Sequence, residues 1–175
     1  LVRSRGLGDV YKRQMLEKIP PKIDKLSFEE LSSPSLLSAF TQLLDLPEFR
    51  VVRIEIDKGK KRVTLFLEHK YPYSLCPTCH SSSERLHSHK EREVRTLNLF
   101  EWECYLVFSS RRFFCSECQR VFTEVLESIA PYSRYTRCFE EDILSRCRGS
   151  SISQVSRDTA LGYYACLLYT SPSPR

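Results

Sequence analysis

The chain has 175 residues, 41% of them hydrophobic, 11% aromatic and 28% charged, with a formal net charge of +5. This apolar content supports a packed core of one ordinary domain or two small ones and excludes an intrinsically disordered chain. No apolar run approaches the roughly 20 residues that span a bilayer and no secretory signal is visible, which predicts a soluble, cytoplasmic protein with no membrane partner.

The ends read differently from the middle. Residues 4 to 14 (SRGLGDVYKRQ) resemble a translated sequencing-library adapter, and residues 166 to 175 (CLLYTSPSPR) resemble the same adapter read from its opposite strand. Segments 1–14 and 166–175 are accordingly expected to be adapter-derived tails, leaving Met15 to Ala165 as native sequence from a gene cut on its 3′ side. The tails hold +3 and +1 of the charge, so the remainder carries +1. Global charge therefore gives no argument for nucleic acid, and any such argument rests on local clusters.

In chain order, residues 33 to 44 predict a helix: Ser33 suits the cap, Pro34 the first turn, and Leu36, Leu37, Phe40, Leu43 and Leu44 repeat at helical spacing. After Pro47, Val52, Ile54 and Ile56 alternate with Arg53, Glu55 and Asp57, and Val63, Leu65 and Leu67 alternate with Thr64, Phe66 and Glu68. Residues 57 to 60 between them predict a hairpin turn, with Gly59 at a positive φ. Helix and hairpin form the first native segment, 15–70.

Two matched cysteine pairs follow, Cys76-Pro-Thr-Cys79 and Cys115-Ser-Glu-Cys118. Two residues between cysteines let a tight turn aim both thiolates at one metal, and two such turns complete a tetrahedron. Eight cysteines in a reducing compartment read as metal ligands and buried thiols rather than disulfides. Four sulfurs leave no open coordination position, so the site is expected to be structural, taking zinc or, as in a rubredoxin-like electron carrier, iron. His80, His87 and His89 are expected to be exposed loop residues outside the ligand set. Between the pairs, Val94 with Thr96 predicts one strand. Trp102, Cys104, Leu106 and Phe108 predict another, with Cys104 on the apolar face as a core residue. Strands arriving at metal knuckles make a zinc ribbon, residues 71–130, whose metal compensates for a small core.

From Pro131 the pattern becomes helical. Thr136 suits a cap for a helix with Phe139, Ile143 and Cys147 on one face, stopping at Gly149. Ser151-Ile-Ser-Gln154 has capping-box spacing and opens a second helix, with Ile152 and Val155 on one face and Gly162 closing it. Two short helices and a glycine turn predict the start of a helix-turn-helix over 131–165, whose third helix would begin near Tyr164. Basic residues cluster locally: Arg111 and Arg112 before the second cysteine pair, then Arg134, Arg137, Arg146, Arg148 and Arg157. These are candidate DNA contacts, although Glu140, Glu141, Asp142 and Asp158 are interleaved with them, as on a solvated helix surface. The carboxylates follow amphipathic patterns and no glycine-rich phosphate loop occurs, so no catalytic constellation is assigned and this fragment is expected not to be an enzyme.

The residues Leu75-Cys-Pro-Thr-Cys79, Arg92 to Leu97 (REVRTL), Arg111 to Cys118 (RRFFCSEC), Arg120 to Glu124 (RVFTE) and Ser151 to Val155 (SISQV) resemble the insertion-sequence transposases of the ISL-three type. The resemblance covers roughly Leu36 to Ala165. Members often carry glycine after the first pair, where His80 stands here. It implies an α+β fragment: an N-terminal helix and β-hairpin, a zinc-ribbon sheet, then a helical, incomplete helix-turn-helix. It implies structural zinc on Cys76, Cys79, Cys115 and Cys118, DNA as partner through terminal inverted repeats, and self-association in the full-length protein. Catalysis would come from a later domain with two aspartates and a glutamate. A protein-interaction ribbon of transcription machinery is the alternative, with the iron carrier behind it.

Overall fold

In the computed structural model the described residues are 33–170; the expected N-terminal tail, 1–14, lies outside them. The first helix among the described residues, α1 (Pro34–Leu44), begins at Pro34 as its spacing predicts and packs Leu36, Leu37, Phe40 and Leu44 on the main core. Strands β1 (Phe49–Asp57) and β2 (Arg62–His69) form the hairpin. Two details depart from expectation. The β1–β2 register shifts between Val51 and Arg53, so Val51 and Ile54 enter the core and Val52 faces solvent. A bulge inserts one residue and inverts the alternation on one side of it. The positive φ of the turn falls on Lys61 at 49°, not on Gly59.

Short strands β3 (Ser74–Leu75) and β4 (Ser82–Ser83) flank the first cysteine turn. Long strands β5 (Leu86–Leu99) and β6 (Trp102–Cys115) then run antiparallel, and β7 (Arg120–Thr123) returns from the second cysteine turn. His87 and His89 therefore sit on a strand rather than a loop, though both are exposed. The main sheet has the order β1-β2-β6-β5, with β7 paired to the end of β6. Strand β2 joins β6 in parallel, Leu65 opposite Leu106. Hairpin and ribbon, consecutive in sequence, thus share one sheet and one core containing Phe49, Leu65, Val94, Cys104, Leu106 and Phe108. Cys104 is fully buried there, and burial pushes its thiol up to about 12.

Three helices follow: α2 (Arg137–Gly149), α3 (Ile152–Thr159) and α4 (Tyr163–Thr170). Phe139, Ile143, Val155, Leu161 and Cys166 make their own core, so α4 overlaps the stretch that resembles adapter and inserts Cys166 beneath α2 and α3. The Ser151 hydroxyl accepts from the Gln154 amide at 3.3 Å and caps α3. The left-handed residue that ends α3 is Ala160, at φ 53°, and not Gly162. Thr136 precedes α2, but its hydroxyl makes no cap; it is fully buried and turns to the sheet instead.

Candidate metal centre and nucleic-acid interface

The two cysteine turns are built alike. His80 at φ 59° and Gln119 at φ 54° follow the second cysteine of each pair in the left-handed region. This is the position where glycine is easiest, and two non-glycine residues hold it because the turn requires it. The His80 amide donates to the Cys76 carbonyl at 2.9 Å, the Cys76 amide to the Ser81 carbonyl at 2.9 Å, and the Cys118 amide to Cys115 Sγ at 3.4 Å. Across the turns, the Ser83 hydroxyl donates to the Phe114 carbonyl at 2.6 Å and the Phe114 amide to the Arg85 carbonyl at 2.9 Å. These bonds fix the first turn against the strand that leads to the second.

The sulfurs of Cys76, Cys79, Cys115 and Cys118 all lie within 4.8 Å of one another. Cys79 Sγ is 3.5 Å from Cys115 Sγ, and Cys76 Sγ is 4.0 Å from Cys118 Sγ. A tetrahedron with Zn–S bonds of about 2.3 Å has edges of about 3.8 Å, between those two values. The thiols do not ionise alike. The Ser81 hydroxyl and amide draw Cys79 down to about 6, and the amides of Cys79 and Thr78 draw Cys76 down. Cys118 is pushed up to about 12 by the neighbouring Cys79 sulfur and by burial. Four converging thiolates repel, and a divalent cation is what lets all of them shed protons together. Among the described residues, the buried side chains clustered with these cysteines are Phe113 and Phe122, stacked at 6.0 Å, a core too small to hold the knuckles unaided.

Of the candidate DNA contacts, Arg111 is engaged inside the protein. Its guanidinium pairs with Glu124 at 2.9 Å and donates to the Tyr71 carbonyl at 2.8 Å, while its amide donates to Glu124 at 2.8 Å. Glu124 is 5% exposed, so this pair joins β6 to the segment after β7 and presents no charge to a ligand. Arg112, its neighbour, points to the other face and is exposed. Arg134, Arg137 and Arg148 are exposed; Arg146 pairs with Asp142 and Arg157 donates to Gln154, both along their own helices.

The helices are held to the ribbon by residues whose role the sequence pattern does not signal. Arg134 to Thr136 run beside the edge of β5: the Arg95 amide donates to the Arg134 carbonyl at 2.9 Å and the Thr136 amide to the Arg95 carbonyl at 3.0 Å. Arg95 itself is buried, paired with Glu103 at 3.2 Å and lying over the Phe139 ring. Arg92 donates to the Ser133 carbonyl at 2.6 Å.

Ribbon and helices match separate family models. Residues 72–118 match the zinc-finger of transposase IS204/IS1001/IS1096/IS1165, and residues 124–163 match the helix-turn-helix domain of transposase family ISL3. The chain carries the DNA-binding zinc ribbon and helix-turn-helix of ISL3-family transposases. Among curated proteins it is similar to the transposase for insertion sequence element IS1001 of Bordetella parapertussis, 26% identical over 117 residues. That match covers 66% of this chain and 29% of the relative. No solved structure matches. Both halves being transposase modules, the transcription-ribbon and iron-carrier readings are not favoured, and the four-sulfur site is that of a structural zinc. No helix among the described residues is long and apolar enough to cross a membrane.

Proposed function

We propose that this part of an ISL3-family transposase binds the ends of its element, the terminal inverted repeats, in the cytoplasm mainly through phosphate contacts, that the longer protein completes the sequence selectivity, and that Cys76, Cys79, Cys115 and Cys118 ligate its zinc. The observation that carries the reading is the unit α3–turn–α4, packed through Val155, Leu161 and Cys166 against Phe139 and Ile143 of α2, with the segment before α2 tied to the ribbon strand β5 at Arg95. Such a unit offers its second helix to the major groove. Tyr163 and Tyr164 open α4 and are 46% and 79% exposed.

The chemistry of α4 sets the kind of binding. Its sequence, YYACLLYT, has no arginine, lysine, asparagine or glutamine, the side chains that make bidentate contacts to base edges. Phosphate contacts from Arg112, Arg134, Arg137 and Arg148, joined by Arg146 and Arg157 when their helix-surface pairs open, then supply most of the affinity. Strand cleavage and transfer are assigned to no residue of this chain, and self-association belongs to the longer protein. The test is fluorescence anisotropy with a duplex of the element's inverted repeat and a scrambled duplex of equal length. Both should bind at low salt with affinities within about tenfold, far below the usual specific-to-nonspecific ratio. Strong preference for the repeat would contradict the assignment of weak base reading to α4.

A further inference from the structure

On the ribbon, away from α4, lies a cleft of about 550 Å³ lined from β5, β6, β7 and the loop that leads to the helices. Successive alternate residues put Ser88 and Lys90 on one face of β5, and the register places Ser110 and Arg112 beside them on β6 and Thr123 beside Arg112 on β7. No carboxylate lines the cleft. Other arginines nearby are matched: Arg111 by Glu124, Arg95 by Glu103, Arg92 by the Ser133 carbonyl. Lys90 and Arg112 are exposed and form no ion pair among the described residues. They stand diagonally across the antiparallel pair, so two cations and three hydroxyls converge on one groove.

The rim points the same way. Tyr132 is 89% exposed and held at φ 62°, an uncommon conformation for an aromatic residue. The Arg92 side chain anchors the next residue, Ser133, by its carbonyl, and itself lies over Phe108. The loop is thus tied down with its ring displayed above the cations rather than packed away.

We propose that this groove is a second DNA-binding site, which takes the sugar-phosphate backbone of duplex flanking the segment under the helix-turn-helix. Lys90 and Arg112 pair with phosphates, the hydroxyls of Ser88, Ser110 and Thr123 donate to phosphate oxygens, and Tyr132 packs along the sugars. Unpaired cations among hydroxyl donors, with no acid, are the complement of a phosphate backbone and carry no base information. Because the loop is anchored beside Arg134 to Thr136, groove and helices contact one duplex in a fixed register. The inference rests on the DNA-binding reading above.

The experiment uses the zinc-loaded full chain and a random-sequence 40-bp duplex, with affinity followed against salt concentration. For Lys90→Ala/Arg112→Ala the slope of log K against log salt should be shallower by about 1.8, the loss of two phosphate contacts, with zinc content and circular dichroism unchanged. Each single variant should give about half of that change. The groove assignment is overturned if the double variant keeps the wild-type slope while Arg148→Ala, on the helices, makes it shallower. If the wild-type chain fails to bind duplex at any salt, the DNA-binding reading and the groove fall together.

Discussion

Thr136 Oγ1 donates to Thr96 Oγ1 at 3.0 Å between two buried side chains, one before the helical unit and one on the ribbon strand β5. Their backbones are already tied, Thr136 to Arg95 and Arg95 to Arg134. A residue placed to cap α2 has given up that role to close the junction, because a buried hydroxyl without a partner costs more than an unmade surface cap.

Replacing Thr136 by Val removes the donor and leaves the Thr96 hydroxyl dependent on the longer 3.7 Å contact to Cys138. The expected cost is about 1–3 kcal/mol in denaturant unfolding. Adding Thr96→Val, which removes the orphaned group, should recover part of it, so the double-variant cycle should show clear coupling.

Serine at any one of Cys76, Cys79, Cys115 or Cys118 should abolish zinc retention and unfold the knuckles, since among the described residues the core beside them is Phe113 and Phe122. His87→Ala and His89→Ala, on exposed positions of β5, should keep one zinc per chain by mass spectrometry. Thiolate ligands compete with protons, so zinc should dissociate as pH falls and not as it rises moderately.

The left-handed positions suggest a reciprocal pair of substitutions. Ala160 holds φ 53° while Gly162 does not have a positive φ and has open space around it. Ala160→Gly should stabilise by roughly 0.5–1 kcal/mol by relieving the left-handed strain of a side chain. Gly162→Ala should be neutral or stabilise by roughly 0.4–1 kcal/mol through a less free unfolded chain. Thermal unfolding of both variants checks the assignment of the turn: destabilisation by Gly162→Ala together with no gain from Ala160→Gly would place the left-handed position at Gly162 instead.

Cys104 supplies a pH dependence. Its thiol is raised from 9.0 to about 12 by burial, so the protonated form is the one the fold favours. That stability is fully present below pH 9 and is lost as pH rises from 9 towards 12. Tyr105, raised by burial and by its bond to Glu103, acts in the same direction. Cys104→Ala should unfold more easily at pH 7, by the cost of a small cavity, but its stability should fall less steeply between pH 9 and 11 in urea titrations. Cys104 should also resist alkylation in the native state, unlike exposed Cys138.

The metal site was the most legible part of the chain, because ligand spacing within a turn is local: C-x2-C dictates the knuckle whatever surrounds it. The helices were legible too, Phe139, Ile143 and Cys147 repeating at a period that survives tertiary packing. What could not be read was long-range or out of phase. The bulge at Val52 shifts the alternation by one. The parallel pairing of Leu65 with Leu106 joins strands some 40 residues apart, and Thr96 and Thr136 meet across a similar separation. Glycine was a poor guide to the left-handed region, since the turns at Lys61 and Ala160 take a positive φ where no glycine stands. Charge misled at Arg111, which sequence cannot distinguish from Arg112; only the buried Glu124 beneath it separates a structural arginine from a free one.

DNA binding by the helix-turn-helix should depend on the zinc that holds the ribbon together. The most direct measurement is anisotropy of a labelled 40-bp duplex titrated with the chain before and after zinc removal by a chelator, across a range of salt. The zinc-loaded chain should bind with an affinity that falls steeply and linearly in log salt, and removal of the metal should abolish that binding until zinc is restored. Equal binding with and without zinc, or none from the loaded chain at low salt, would contradict it.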